Sequence, residues 1–173
     1  MAKKKILSRK LKQTLVFIGE GETEKAFLQH IKALNFGGSL KITVKSAGGK
    51  GPSNVIGDGI GTKDNSGCDY VAVLLDTDIT WPKTKVKQAQ AKKIKLIGAT
   101  PCIEGLMLDI LDQKHPTPSD NDSCKAKMHP QLSGKPTDKS SYESLFTKQV
   151  LTQAASKVTE LDEIIKTMTG KFK

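Results

Sequence analysis

A chain of 173 residues is long enough to bury a hydrophobic core, and one compact domain with a tail is the expectation. Its 28 Lys and Arg exceed its 18 Asp and Glu by ten charges, which favours a polyanionic partner, above all nucleic acid. No apolar run approaches the roughly 20 residues that span a bilayer, no secretory leader is evident, and aromatic residues, at 5%, are too scarce for a base-stacking platform. Cys68, Cys102 and Cys124 are odd in number and lack short paired spacings, so they read as reduced thiols of a cytoplasmic protein with no membrane partner. A zinc site from Cys124, His129 and His115 lacks a fourth ligand.

Part of the positive charge sits in Lys3, Lys4, Lys5, Arg9, Lys10 and Lys12, a basic N-terminal arm over residues 1–12. Gln13 to Ile18 predicts a short central strand that runs into Gly19, Glu20 and Gly21, where glycine permits a tight turn. Helical spacing follows in Phe27, Leu28, Ile31 and Leu34, with Gly37 and Gly38 as the stop. Glu22 and Glu24 suit the positive end of that helix dipole. Glu20, ahead of the helix, has no such explanation.

Leu40 to Val44 alternates apolar and polar and predicts a second strand nearer an edge. The glycine-rich Ser46 to Ser53 lacks the Gly-Lys-Ser/Thr ending of a phosphate loop, and Gly57, Gly59 and Gly61 follow no strand, so neither is a nucleotide fingerprint. A flexible loop and a short helix from Pro52, capped by Ser53 or Asn54, are expected instead, then a turn over Asp64 to Gly67.

Val71 to Leu75 is an apolar strand that ends in Asp76 and Asp78. Alternation along a strand would bring both acids out on one side of its carboxyl end, where open α/β sheets bind ligands. Two carboxylates about 4 Å apart repel by about 1 kcal/mol in water and about 4 at intermediate polarity. A divalent cation removes that penalty, and Mg²⁺ takes one or two carboxylates while keeping several waters. A loop cap plus a solvated acid is the plainer account of the pair taken alone. Lys83 to Lys95 predicts an exposed helix, and Lys83, Lys85 and Lys87, with Lys50 of the glycine-rich loop, are the candidate phosphate contacts. Ile94 to Ile97 predicts a brief fourth strand. Pro101 then suits the first turn of a helix that carries Glu104 and buries Leu106, Leu108, Ile110 and Leu111.

Four strand–helix units with carboxylates at carboxyl edges form a constellation that pairs of acids do not. Phe17 to Glu24, with Glu20 at its centre, resembles the first motif of Toprim (topoisomerase–primase) domains as found in RloB-like and OLD-type proteins. Leu74 to Asp78 is similar to their Asp-x-Asp motif, and Ala99 to Glu104 to the Asn-Pro-Cys-Phe-Glu segment of RloB-like proteins. The three occur in the family's order within residues 13–112, although Thr100 and Ile103 replace the usual Asn and Phe.

The resemblance implies an α/β Toprim/Rossmann-like fold: about four mainly parallel strands flanked by helices, with residues 113–173 a loop and helical extension packed on the core. It implies Mg²⁺ or Mn²⁺ at Glu20, Asp76 and Asp78 and catalysis by the same three; Glu104 matches the family's Pro-Cys-x-Glu glutamate, from which we infer a supporting ligand role. The implied function is a metal-dependent phosphodiesterase or nuclease acting on DNA or RNA in bacterial host defence, with a protein partner such as an ATPase subunit. The alternative is a non-catalytic Toprim-like subunit that binds nucleic acid and signals to a partner. Tyr70 and Tyr142 lack the context of a covalent nucleophile, and Asp120 and Asp122 read as an Asx-rich turn. Ser140 to Val158 and Leu161 to Met168 predict the closing helices.

Overall fold

The computed structural model describes residues 11–172. Apart from Leu11 and Lys12, the expected basic arm lies outside them. Four strands form one wholly parallel sheet: β1 (Thr14–Gly19), β2 (Lys41–Ser46), β3 (Tyr70–Asp76) and β4 (Lys95–Ala99), in the order β2-β1-β3-β4. Parallel neighbours need crossovers, supplied by α1 (Glu22–Ala33), α2 (Pro52–Asn65) and α3 (Lys83–Ala91). The chain is therefore an α/β protein with a parallel sheet flanked by helices, as the alternation of strand and helix patterns implies.

Strand alternation divides the core in two. Leu15 and Phe17 of β1, Ala72 and Leu74 of β3, and Ile97 and Ala99 of β4 face one side, against Phe27, Leu28 and Ile31 of α1. Ile18, Val71, Val73 and Leu75 face the other, against Val55 and Ile56 of α2 and Ala89 of α3. β1 and β3 are central and buried. β2 is an edge strand, half exposed, as its alternating sequence predicts.

Four local expectations change. α2 is not short: it runs 14 residues through Gly57, Gly59 and Gly61, with Gly51 and not Ser53 or Asn54 as its N-cap, and takes in Asp64 and Asn65 of the expected turn before Gly67 turns left-handed at φ +65°. Tertiary contact explains why a glycine-rich segment is helical. A Cβ on Gly59 would lie 2.8 Å from Val73 Cγ2, so glycine lets α2 approach the sheet, whereas Gly61 faces open space. Gly61→Ala is expected to stabilise by about 0.5–1 kcal/mol through helix propensity. Gly59→Ala should instead lose about 1–2 kcal/mol by overpacking. Equal gains for both in urea melts would refute so close a packing.

α1 stops at Ala33 before Gly37 and Gly38 are reached, because Asn35 takes the left-handed conformation at φ 47°. Pro101 precedes the fourth helix, α4 (Ile103–Ile110), for which Cys102 is the N-cap. The remaining chain folds back over the face already occupied by α1. It comprises α5 (Asn121–Met128), two 3-10 turns (His129–Gln131 and Lys139–Tyr142), α6 (Lys148–Ala154) and α7 (Thr159–Met168). The predicted helix from Ser140 is thus broken into a 3-10 turn and α6. Tyr142, Phe146, Leu151, Leu161 and Ile164 join the α1-side core. Phe27 meets Tyr142 and Phe146 edge-on, with ring centroids 5.4 and 5.2 Å apart. Among the described residues, no helix is long and apolar enough to cross a membrane.

Candidate active site at the carboxyl edge

From β1 the chain passes through α1 to β2 on one side, then returns through α2 to β3 on the other. The loops leaving β1 and β3 therefore diverge and open a crevice at the carboxyl edge, the usual ligand position in such sheets. Glu20 stands in it. Its backbone N–H donates to Leu74 O at 2.9 Å and its carbonyl accepts from Gly49 N at 2.8 Å, which ties the β1 turn to both neighbouring strands' ends. Its Oε2 accepts the Asp76 N–H at 2.9 Å.

Asp76 closes β3 on the same side of the sheet as Ala72 and Leu74, towards α1 and α4. Its Oδ1 accepts the N–H of Ile103, the first residue of α4, at 3.1 Å. It thereby satisfies one of the amides that a helix start leaves free. Trp81 Nε1 donates to the Asp76 carbonyl at 2.8 Å, and the N–H groups of Thr77 and Asp78 donate to Pro101 O, each at 3.1 Å. These bonds stitch the β3–α3 loop to the β4–α4 loop.

Glu104, in the first turn of α4, is 1% exposed. Its Oε1 lies 2.6 Å from His129 Nε2, and its buried Oε2 has no partner among the described residues. Glu24, 6% exposed, reaches back to accept the N–H of Gly21 at 2.8 Å, half of a capping box. Burial, with the charges of Glu104 and Glu20 adding to it, raises the Glu24 carboxyl above its ordinary range. Asp76 is affected most. Burial first, then the charges of Glu24, Glu20, Glu104 and Asp78, push its pKa up to about 8.

The predicted acids are thus brought together, with one change. β3 ends at Asp76, so strand alternation no longer governs Asp78, which is exposed in the following loop. Asp78 stands at the rim, where Asn121 Nδ2 donates to its Oδ2 at 2.8 Å. It borders an open hollow shared with Pro101, Ser119, Asp120, Asn121 and Asp122. Asp120 caps α5 by accepting from Ser123 N at 2.8 Å, a helix N-cap bond in the stretch expected to be an Asx-rich turn. Three participants escaped sequence reasoning: Glu24, Asn121 and His129. Glu24 was legible, since it shares the helical spacing of Phe27, Leu28 and Ile31 and so lies on the buried stripe. Asn121 and His129 carried no local signal, because their partners are 43 and 25 residues away.

Lys50 is exposed in the β2–α2 loop, one residue from Gly49, whose N–H contacts Glu20. Lys83 begins α3 just past the carboxyl edge; Lys85 lies along α2, its Nζ 3.7 Å from where Gly57 would carry a Cβ; Lys87 is exposed a turn further on. None of the four makes an ion pair within the described residues. Lys50 and Lys83 thus belong to the segments that leave the carboxyl ends of β2 and β3, while Lys85 lies against α2. A larger groove of about 800 Å³ lies elsewhere, between the end of α4 and the α6–α7 junction. It is lined by Leu111, Val150 and Val158 and lacks the buried carboxylates of the crevice.

Among the described residues, no three His, Cys, Asp or Glu side chains converge in metal-ligating geometry. The donor chemistry nevertheless fits a hard cation. Glu20, Asp76, Asp78 and Glu104 offer carboxylate oxygens only, Glu104 Oε2 is buried without a partner, and the crowded charges depress ionisation of Asp76. Burial raises the Cys102 thiol well above its ordinary pKa, so in the metal-free site it is no thiolate nucleophile at neutral pH. Comparison with family models, with curated proteins and with solved structures found no match.

Proposed function

We propose that this chain is a metal-dependent phosphodiesterase acting on DNA or RNA. The observation that carries the reading is the convergence of Glu20 from the turn after β1, Asp76 from the end of β3 and Glu104 from the first turn of α4 on one crevice at the switch point of the sheet. A fold gains no stability from crowding buried like charges, so the arrangement asks for a counter-ion. The motif resemblance to RloB-like Toprim proteins supports the same chemistry and suggests a role in host defence beside an ATPase-type partner.

In this reading Glu20, Asp76, Asp78 and Glu104 hold Mg²⁺ or Mn²⁺. When bound, the ion supplies a more acidic water and neutralises charge on the phosphodiester. The protein's own part is positioning. The Asp76 N–H fixes Glu20, and the α4 amide of Ile103 fixes Asp76. That leaves Glu20 Oε1 at the crevice as the acid–base group for the attacking water. Lys50 and Lys83, in the segments that leave β2 and β3, hold the backbone electrostatically. Hydrolysis then forms one P–O bond to water and breaks one ester P–O bond, the leaving oxygen taking a proton.

The test is cleavage of single- and double-stranded DNA and structured RNA with Mg²⁺, Mn²⁺ or EDTA, wild type beside Asp76→Ala/Asp78→Ala. Cleavage that requires the ion and falls by at least about 10³-fold in the variant, with nucleic-acid binding kept, is the expected result. Binding without cleavage under either metal would replace the enzyme with a non-catalytic nucleic-acid-binding subunit.

A further inference from the structure

His129 lies outside the stretch that carries the three motifs. It follows the last residue of α5, and its side chain is 35% exposed. Yet its ring meets the most deeply buried acid of the crevice, with Nε2 2.6 Å from Glu104 Oε1. A carboxylate accepts only, so Nε2 carries the proton and donates. The other oxygen, Oε2, is buried and has no partner among the described residues. An ion pair formed only to close the C-terminal segment over the core would not need to leave half of a 1%-exposed carboxylate unsatisfied. At the opposite end of α5, Asn121 Nδ2 holds Asp78 Oδ2 at 2.8 Å. The first residue of α5 and the residue that follows the helix therefore hold two carboxylates, one in the loop after β3 and one in the first turn of α4.

We propose that His129 is a positioning residue for a divalent-cation site: it holds Glu104 by Oε1 and thereby reserves Oε2 for the cation, as Asn121 holds Asp78. The inference rests on the metal-site reading above and extends that site into the C-terminal segment. Partners that orient a ligating carboxylate through its second atom typically control metal affinity by about 10–100-fold when removed.

The test is Mn²⁺ titration of the full chain at 25 °C, read from the electron paramagnetic resonance signal of free Mn²⁺, with circular dichroism confirming the fold. His129→Ala is expected to weaken Mn²⁺ binding by about 10–100-fold. His129→Gln, whose amide N–H can still reach Oε1, should recover most of the loss. A merely structural contact would show a lowered melting temperature without that loss and rescue. His129→Asn, polar but too short to reach, makes the same test if the alanine variant does not fold. Mn²⁺ affinity within about twofold of wild type in His129→Ala or His129→Asn, while Asp76→Asn abolishes binding, would overturn the role of His129 and leave the metal site standing. No binding by wild type, or unchanged binding in Asp76→Asn, would overturn the metal site and this inference with it.

Discussion

Asp76→Asn is expected to make the metal-free protein more stable at pH 8–9 and to change it little at pH 5. In the fold, Asp76 ionises near pH 8 because it is buried among Glu24, Glu20, Glu104 and Asp78, whereas in the unfolded chain it ionises near 3.8. The folded state therefore binds the extra proton between those values. Stability falls as pH rises through that window, and the penalty is complete above about pH 8. The full displacement would amount to about 6 kcal/mol. Asp76 is partly exposed and shares its charge with coupled neighbours, so solvent screening reduces the expectation to about 2–3 kcal/mol. For a chain of this size that is a rise in melting temperature of about 5–10 °C. The amide keeps an oxygen to accept the Ile103 N–H, so the helix start is not lost. Wild type in EDTA should lose most of that increment between pH 5 and pH 8.5. At 100 times its dissociation constant, Mg²⁺ or Mn²⁺ should return about 2.7 kcal/mol to wild type and nothing to Asp76→Asn. Melting curves that are flat with pH for both proteins would show that the carboxylates do not crowd as described.

Phe27→Ala should have the largest effect on folding of any single change considered. Phe27 is wholly buried on α1 and is the ring that Tyr142 and Phe146 both meet edge-on. Removing a buried Phe side chain costs about 3–5 kcal/mol, and the two aromatic contacts place this site towards the upper end. Against a typical total of about 5–15 kcal/mol, the variant would be marginal at 37 °C. Its melting temperature should drop by about 8–16 °C. The loss would also loosen the C-terminal segment, because Tyr142 and Phe146 pin it to α1. Amide hydrogen exchange should therefore rise first in the 3-10 turn before Glu143 and in α6. A drop of less than about 1 kcal/mol in urea would mean that the segment is not docked through this cluster.

The fold was largely legible because its signals are local. The apolar runs at Leu15 to Ile18 and Val71 to Leu75 are those of strands buried on both faces, and the helical spacing of Phe27, Leu28 and Ile31 needs nothing beyond itself. The stretch with Gly57, Gly59 and Gly61 predicts only a short helix, and the contact with Val73 shows why the chain tolerates Gly59 in a helix of 14 residues. Glu20, Asp76 and Glu104 were each visible as an acid just past a strand, and parallel topology guarantees that such ends share an edge.

Taken by itself, the sequence of this chain determines a parallel α/β core and the edge at which its acids collect, because strand and helix periods and the parallel connection rule act over a few residues. Tertiary structure alone decided that Glu104 is buried with one oxygen unpartnered, that Asp78 belongs to the rim, and that Asn121 and His129 complete the cluster. Burial and pairing across 25 to 56 residues depend on how the C-terminal helices dock and on where each loop leaves the sheet. No local pattern encodes such distances, since a side chain acquires its dielectric surroundings and its partners only when the remote segments pack against it.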